Sequence, residues 1–260
     1  MEILHLSDTH LGRRGRADAQ GASLTDQHLW AFRQALKPAF AGEVGLVLHT
    51  GDVFDRSRPP PRAMAQAAAL LRELARRVPV VILGGNHDRD RLHRSLPMGV
   101  PGLHVIRGAA SLDVAGLRLA CVNYVRDAAA WGRAARKAWG GGADLLLCHQ
   151  AVDGARVPGF TFRVGRQRDT VGEQHLPPGA RWVLCGHIHP RQVVRVGGAQ
   201  VVHPGATVRT SHAEGSEPKS VVRWSLGRCV QWAYTELPSP PQSRHPEPQG
   251  LRESAQIPLF

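Results

Sequence analysis

The sequence predicts an α/β fold, and three features of the 260-residue chain indicate it. Short apolar runs of strand length alternate with longer segments whose apolar residues recur at helical spacing. Several of these runs end in polar side chains, as strands do at the ligand sites of open α/β sheets. The 42% hydrophobic content suffices for one well-cored domain. We therefore predict a single α/β domain over residues 1–237, followed by a disordered tail over residues 238–260.

The first third of the chain predicts strands and helices in alternation. Strands are expected at 2–7, 44–50 and 80–83, and helices at 25–41 and from prolines 59–61 to residue 75. The first helix carries Leu29, Phe32 and Leu36 at helical spacing. Prolines open the second helix because proline suits a first helical turn.

The remainder predicts short strands, one further helix and a β-rich end. Short strands are expected within 103–123, a helix over 127–139, strands at 145–148 and 182–185, and strands with glycine-rich turns from 191 to 236. Three glycines directly after Trp139 end the helix.

The stretch from Pro79 to Asp88, PVVILGGNHD, is the clearest strand-end motif. Its apolar run predicts a strand buried on both faces, and its two glycines allow a tight turn. Asn86, His87 and Asp88 then emerge where the strand ends. Taken alone, the motif is ordinary turn chemistry, but four other predicted strands end in a similar way.

Five predicted strands end in residues that can bind metal: Asp8 and His10, Asp52, Asn86, His149, and His187 with His189. Singly they favour a structural interpretation, because an Asp after a strand is commonly a cap and a lone His is commonly structural. Together they indicate a metal site. Residues two apart in extended backbone point the same way, so each Asp-x-His or His-x-His pair is expected to present both side chains to one site.

The types of ligand limit the chemistry. The set contains carboxylates, imidazoles and an amide oxygen but no thiolate, which suits manganese, iron or magnesium and does not exclude zinc. Seven ligands are too many for one ion and natural for two, so we expect two divalent ions, manganese favoured, with one carboxylate bridging. Such a pair supports in-line displacement at phosphate. His87 is then free to donate a proton to the leaving oxygen, with Asp88 placed to orient it.

The positive charge of the chain indicates a polyanionic substrate. The formal net charge is +12, and 30 of the 33 basic residues are arginines. A GC-rich genome also raises arginine content, but here arginines follow the candidate ligand motifs. Guanidinium groups pair with phosphate oxygens in a planar, two-pronged geometry. We therefore predict DNA contacts by Arg13, Arg14, Arg16, Arg56, Arg58, Arg89 and Arg91.

The cysteines and the apolar runs indicate the cellular compartment. The four cysteines form no close-spaced pairs and three of them lie inside apolar runs, which fits reduced core thiols better than disulfides or a zinc cluster. The N-terminus lacks a signal-peptide pattern, and no apolar run has the length of a membrane span. We therefore expect a soluble, cytoplasmic protein.

The motifs DTH, GDVFD, GNHD, the histidine of LLLCHQ and GHIH, in that order, resemble the signature of the calcineurin-like metallophosphoesterases. Three longer segments are most similar to the SbcD-type DNA repair nucleases: SDTHLG at 7–12, GDVFDRSRPPP at 51–61 and HPGATVRTSHAEGSEPKS at 203–220. The resemblance spans about residues 1–236. It implies a four-layer α/β/β/α sandwich whose two central sheets carry a dinuclear metal site on their shared edge.

The resemblance also implies roles for individual residues. It implies that one metal is held by Asp8, His10, Asp52 and His189, and the other by Asp52, Asn86, His149 and His187. Asp52 then bridges the two ions, and His87 is the catalytic histidine.

The chain departs from these nucleases after its last predicted strand, near Leu237. The nucleases usually continue into a DNA-capping domain and a helical segment that docks an ATPase. We expect neither here, so an ATPase partner is doubtful, while a homodimer stays open.

The end of the chain carries a candidate docking motif. Residues 238–254 are rich in proline and polar residues, which predicts a flexible tether. The terminal QIPLF is similar to peptides by which bacterial repair enzymes dock the replicative sliding clamp. Gln256 would supply hydrogen bonds, and Leu259 and Phe260 would fill an apolar pocket. The alternative is that the last two residues fold back onto the domain or are incidental.

The sequence as a whole predicts a metal-dependent DNA phosphodiesterase that acts in DNA repair as an exonuclease, an endonuclease or both. Contacts to the DNA backbone are expected to dominate over base readout. Two alternatives stay open. One is a small-molecule phosphodiesterase or phosphoprotein phosphatase on the same fold, and the other is a non-catalytic DNA-repair adaptor.

Overall fold

Two six-stranded sheets form the centre of the protein, whose computed structural model describes residues 1–15, 23–159, 163–165, 167–215 and 217–239. The strands are β1 (Glu2–Leu6), β2 (Leu46–His49), β3 (Val80–Ile82), β4 (Leu103–Val105), β5 (Ala109–Val114), β6 (Leu117–Val122), β7 (Leu145–His149), β8 (Ala151–Val152), β9 (Thr170–Val171), β10 (Trp182–Gly186), β11 (Gln192–Val196), β12 (Ala199–His203), β13 (Ser220–Leu226) and β14 (Val230–Glu236). The helices are α1 (Leu24–Phe40), α2 (Pro61–Ala75), α3 (Leu92–Ser95) and α4 (Ala128–Trp139).

The two sheets share one plan, a parallel centre with antiparallel strands at its margins. The first has the order β14-β13-β1-β2-β3-β4, with β1 to β4 parallel. The second has the order β11-β12-β10-β7-β6-β5, with β12, β10, β7 and β6 parallel. In each parallel set the carboxyl ends of the strands lie at a single edge.

Helices cover the outer face of each sheet, and alternation along the strands assigns each side chain to a layer. Leu4 of β1 lies in one buried cluster with Phe32 of α1 and Leu71 of α2. The preceding residue, Ile3, lies instead in the cluster between the sheets, together with Leu147 of β7.

Strand β7 shows the same alternation on the other side of the molecule. Leu146 and Cys148 pack in a third cluster with Trp131 of α4. The layers are therefore helix, sheet, sheet and helix, and the predicted α/β/β/α sandwich is confirmed.

The helices begin and end as their sequence signals predict. The Ser23 side chain caps α1 by accepting a hydrogen bond from the Asp26 amide. Pro61 occupies the first turn of α2. Asp127 caps α4, and Gly140, at φ 56°, follows its last residue. None of the described helices has the length and apolar character that a membrane crossing requires.

Three of the strands that lead to candidate ligands, β1, β2 and β3, end one residue earlier than predicted, whereas β7 and β10 end one residue later. Strand β1 ends at Leu6, because Ser7 pairs with Ala206 in an isolated bridge and Asp8 then adopts a positive φ of 53°. Strand β2 ends at His49, before Gly51 at φ 103°. The tail predicted at 238–260 lies outside the described residues from position 240 onward.

Several histidines lie in the core beneath this edge. His5, His28, His49 and His203 are each at most 1% exposed. Burial is the main cause that lowers the pKa of His28 and of His203 to about 4, and that of His49 to about 3. The folded protein therefore holds these rings neutral at a pH where an unfolded chain protonates them.

Acidification should destabilise the fold through these rings. A histidine with a lowered folded-state pKa contributes stability that is complete above pH 6.5 and is lost as the pH falls toward 4. Replacing His28 with Gln removes one such proton site, so the stability of His28→Gln should fall less steeply than wild type over this range. The difference should be roughly 1.4 kcal/mol per pH unit. Urea unfolding at stepped pH in EDTA measures both slopes, and equal slopes would contradict the prediction.

Candidate metal centre

The seven predicted ligand residues all lie at the carboxyl ends of parallel strands. Asp8 and His10 follow β1, Asp52 follows β2, Asn86 follows β3, His149 ends β7, and His187 and His189 follow β10. The two sheets thus bring residues far apart in sequence to one edge, and the side chains form two adjacent groups.

The first group contains Asp8, His10 and His189. The Nε2 atoms of His10 and His189 lie 3.2 Å apart. The Asp8 Oδ1 atom lies 3.9 Å from the His10 Nε2 and 3.7 Å from the His189 Nε2. Three donor atoms of the kinds that hold divalent metals therefore face one another.

The second group contains Asn86, His149 and His187. The Asn86 Oδ1 atom lies 3.0 Å from the His149 Nε2 and 2.9 Å from the His187 Nδ1. Asp52 lies between the two groups, since its Oδ2 atom is 3.5 Å from the His149 Nε2 and 3.8 Å from the His10 Nε2. The resemblance divides these residues between two metals in the same way, and that assignment stays a prediction.

The backbone that presents these ligands is not extended. The prediction that an extended backbone points the two residues of each ligand pair the same way is therefore wrong. Asp8, His10 and His187 have φ values of 53°, 44° and 77°, in the left-handed region that non-glycine residues rarely adopt. Asp8 and His10 still reach one group, whereas His187 and His189 separate into different groups. Such strain is typical of functional sites, where the surrounding structure enforces it.

Two backbone hydrogen bonds hold this strained loop. The Asp8 amide donates to the Gly51 carbonyl, and the His10 amide donates to the Asp52 carbonyl, both at 3.0 Å. The loops after β1 and β2 are therefore fastened together beside the shared carboxylate.

The charges in the centre are mutually dependent. Burial alone would raise the pKa of Asp52, but the positive charge and hydrogen bond of His149 outweigh burial and lower it. Burial in turn opposes protonation of His149, yet the charge of Asp52 raises its pKa to about 10. Burial raises the pKa of Asp8 and lowers that of His187 to about 3.

The donor set fits divalent cations. The Asp8 Oδ1 atom is buried and has no hydrogen-bond partner among the described residues. The neighbouring imidazole nitrogens are only 3.2 Å apart. A cation satisfies such lone pairs, and the carboxylate, imidazole and amide donors suit manganese, iron, magnesium or zinc. The residues therefore fit the two-ion site that the sequence predicts.

His87 lies at the mouth of this centre. Its Nδ1 donates a hydrogen bond to the Asp55 carbonyl at 2.8 Å, and its Nε2 is 4.0 Å from the Asp52 Oδ2. The side chain is 41% exposed, so it is partly open to solvent.

The structure corrects the orienting role predicted for Asp88. Its buried carboxylate accepts hydrogen bonds from the amides of Val53 at 3.1 Å, Phe54 at 2.9 Å and Gly85 at 3.1 Å. Asp88 therefore fastens the loop after β2 to the loop after β3, and the carbonyl of Asp55 orients His87 instead. Burial, together with the charge of Asp52, raises the pKa of Asp88 to about 7.

Sequence reasoning missed two acidic residues at the site. Asp55 pairs with Arg13 at 2.9 Å and with Arg56 at 3.2 Å, beside His87. Glu214 is buried and contacts His189. Both lie in segments that carry the family resemblance, 51–61 and 203–220, and this resemblance was the only signal that could have indicated them.

Six of the seven predicted arginines lie in the described segments that follow β1, β2 and β3 and carry candidate ligands. Arg14, Arg58 and Arg89 are exposed, whereas Arg13, Arg56 and Arg91 are partly buried. Arg16 lies outside the described residues, as do Gln256, Leu259 and Phe260 of the tail. Clamp docking by the tail therefore stays a prediction.

Comparison with known proteins gives a family and several relatives. The model of the family described as Calcineurin-like phosphoesterase matches residues 1–191, which include all seven predicted ligands. The chain is 26% identical over 211 residues to the DNA double-strand break repair protein Mre11 of Thermoplasma acidophilum, covering 75% of this chain and 53% of that protein. It is 25% identical over 272 residues to the protein of the same name from Aeropyrum pernix, covering 94% of this chain and 62% of that protein.

The similarity is higher over a shorter stretch. The protein of that name from Sulfolobus acidocaldarius is 37% identical over 93 residues, which cover 35% of this chain and 23% of that protein. The chain thus spans about half the length of the first of these relatives. The crystal structure of TT1561 of Thermus thermophilus has the same fold, with a TM-score of 0.55 at 14% identity, covering 90% of this chain and 98% of that chain.

The packing around Asp52 predicts that Gly85 cannot carry a side chain. A Cβ at Gly85 would lie 2.1 Å from the Asp52 Oδ1 and 2.5 Å from its amide nitrogen. Gly85→Ala should therefore displace the shared carboxylate and weaken Mn²⁺ binding by about tenfold or more, as mutations beside metal ligands do. Isothermal titration of the metal-free protein measures this. Gly198→Ala, where no other heavy atom lies within 4 Å of the new Cβ, is the control and should bind as wild type does. Unchanged binding by Gly85→Ala would contradict the prediction.

Proposed function

Because the chain belongs to the calcineurin-like phosphoesterase family, we propose that it is a metal-dependent DNA nuclease that hydrolyses phosphodiester bonds in DNA repair. The observation that carries the proposal is the pair of donor groups that share the Asp52 carboxylate. Similarity to Mre11 proteins supports DNA as the substrate. Family membership implies the hydrolysis of a phosphoester with divalent metal, and the nuclease activity is the further step of the proposal.

We assign one metal to Asp8, His10, Asp52 and His189, and the other to Asp52, Asn86, His149 and His187. When bound, a pair of divalent ions polarises phosphoryl oxygens and activates water at neutral pH. Manganese is the proposed metal, since oxygen and imidazole ligands suit it.

The protein itself contributes orientation and proton transfer. The carbonyl of Asp55 accepts the Nδ1 proton of His87, so the Nε2 atom faces the shared carboxylate and the open mouth of the site. We propose that a proton on this Nε2 passes to the leaving oxygen of the scissile bond. Such general acid catalysis contributes about 10²- to 10⁴-fold to a rate.

The rim of the site supports a polyanionic substrate. Arg14, Arg58 and Arg89 are exposed on loops that border the ligands, and the chain carries a formal net charge of +12. Arginines on these loops would contact phosphates on either side of the scissile bond and hold the strand through its backbone. This feature favours DNA over a small phosphodiester or a phosphoprotein.

Two substitutions separate metal binding from proton donation. Asp52→Ala should abolish hydrolysis of DNA and of bis(p-nitrophenyl) phosphate, because it removes the carboxylate shared by both groups. His87→Ala should retain Mn²⁺ binding and lose DNA cleavage by about 10²-fold or more, while hydrolysis of the nitrophenyl ester falls much less. The ester has a good leaving group that needs little protonation. Equal losses on both substrates would remove His87 from the role of general acid.

The salt dependence of binding tests the substrate class. The affinity for DNA should fall linearly with salt on a log–log plot, because contacts to phosphates release counterions. Arg14→Gln with Arg58→Gln should make this slope shallower by about 2, because two phosphates are then no longer neutralised by the protein. Fluorescence anisotropy with labelled DNA measures the slope. Every variant also carries Asp52→Ala, so that the DNA is not cleaved during the measurement.

The matched control replaces Arg72 and Arg76, exposed arginines at the end of α2, with Gln. This end of α2 leads into the start of β3, opposite the site, so the slope should stay unchanged. Salt-independent binding, or activity on phosphomonoesters without cleavage of DNA, would favour the alternative enzyme. Metal binding without hydrolysis of any phosphoester would favour the adaptor.

A further inference from the structure

Glu214 is a buried carboxylate outside the proposed ligand set. It lies between β12 and β13 and is 1% exposed. Its Oε1 atom is 2.9 Å from the His189 Nδ1 and accepts a hydrogen bond from the Thr210 amide at 3.1 Å. The Thr210 hydroxyl also donates to Glu214, and Lys219 donates to the Oε2 atom. Both carboxylate oxygens therefore have partners.

The carboxylate is held in its ionised form. Lys219 is only 12% exposed and contacts Glu214 directly, so its ammonium group compensates the buried negative charge.

This contact determines which nitrogen of His189 carries the proton. An ionised carboxylate only accepts hydrogen bonds, so the Nδ1 atom of His189 must be the protonated nitrogen. The Nε2 atom then presents its lone pair, and this atom faces His10 and Asp8 in the first group. A carboxylate behind a ligand histidine also makes the imidazole a stronger donor to metal.

The second group has no equivalent carboxylate behind its histidines among the described residues. The Nδ1 of His149 donates instead to the neutral carbonyl of Thr50 at 2.8 Å. In the first group, the Nδ1 atom of His10 has no hydrogen-bond partner in the described part of the chain, so Glu214 is the carboxylate that supports a ligand histidine there. The two proposed metal positions therefore differ in the charge that supports their ligands.

We propose that Glu214, fixed by Lys219, is a positioning residue that orients His189 and strengthens metal binding at the Asp8–His10–His189 position only. The inference rests on the metal centre of the proposed function. It adds that the two positions bind metal with unequal affinity. Glu214 and Lys219, in the segment 203–220, cause this difference.

Titration of the metal-free full-length protein with Mn²⁺ tests the proposal. Wild type should bind two ions. Glu214→Gln keeps the shape of the side chain and removes its charge, so one of the two dissociation constants should rise by about 10- to 100-fold while the other stays unchanged. Glu217→Gln is the matched control, because Glu217 lies on the same segment and pairs with Arg156 at the surface. It should bind both ions as wild type does.

A second variant guards against a loss of folding. Glu214→Gln leaves Lys219 buried without its partner, so Glu214→Gln with Lys219→Met removes both charges together. The double variant should show the same weakening of one position, with thermal unfolding in EDTA close to that of wild type. Millimolar Mn²⁺ should restore its phosphodiesterase activity.

The outcomes distinguish this inference from the proposed function. If wild type binds two ions and both Glu214 variants bind them with unchanged constants, the positioning role is wrong and the metal centre stands. If the variants weaken both positions equally and unfold at lower temperature in EDTA, Glu214 has only a structural role. If wild type binds no Mn²⁺, the proposed metal centre fails and this inference fails with it.

Discussion

The buried carboxylate of Asp52 is the group on which the rest of the site depends. One of its oxygens accepts a hydrogen bond from the His87 amide at 2.9 Å, and the other lies within 4.0 Å of the rings of His10, His87 and His149. A carboxylate without hydration is tolerated in a fold only when donors or positive charges surround it. The loops that follow several strands of both sheets must therefore meet at one point.

The fold meets this requirement through the packing beneath the site. Three apolar clusters hold the sheets and helices in place, and both sheets end their parallel strands at the same edge. The rigid core can then enforce left-handed backbone at Asp8, His10 and Asp52, which the residues would not adopt alone. Asp88 completes the support by accepting hydrogen bonds from the amides of two adjoining loops. Asp88 therefore stabilises the backbone of the loops that carry the ligands.

The chemistry is arranged from the interior outward. The shared carboxylate, His10 and His149 are buried, whereas His187, His189 and His87 are partly exposed and arginines follow in the flanking segments. A substrate of repeated phosphates would meet the positive rim first and place one phosphate over the donor groups. Behind the ligands, Glu214 supports His189 with a charge, whereas a neutral carbonyl supports His149. The proposed metal positions are therefore chemically unequal although they share Asp52.

The sequence by itself determined the order of most elements and the candidate ligand types, because apolar periodicity and strand-end residues are local signals, and its resemblance to a known family implied the four-layer fold. The tertiary structure alone decided three further matters. It gave the physical reason why His187 and His189 point to different groups, since a positive φ at His187 turns the chain. It placed the carboxylate of Asp88 on backbone amides and gave the orientation of His87 to the Asp55 carbonyl. It brought Glu214 against His189, 25 positions earlier in the chain. These contacts depend on loop torsions and on distances between distant segments, which no local pattern of residues encodes.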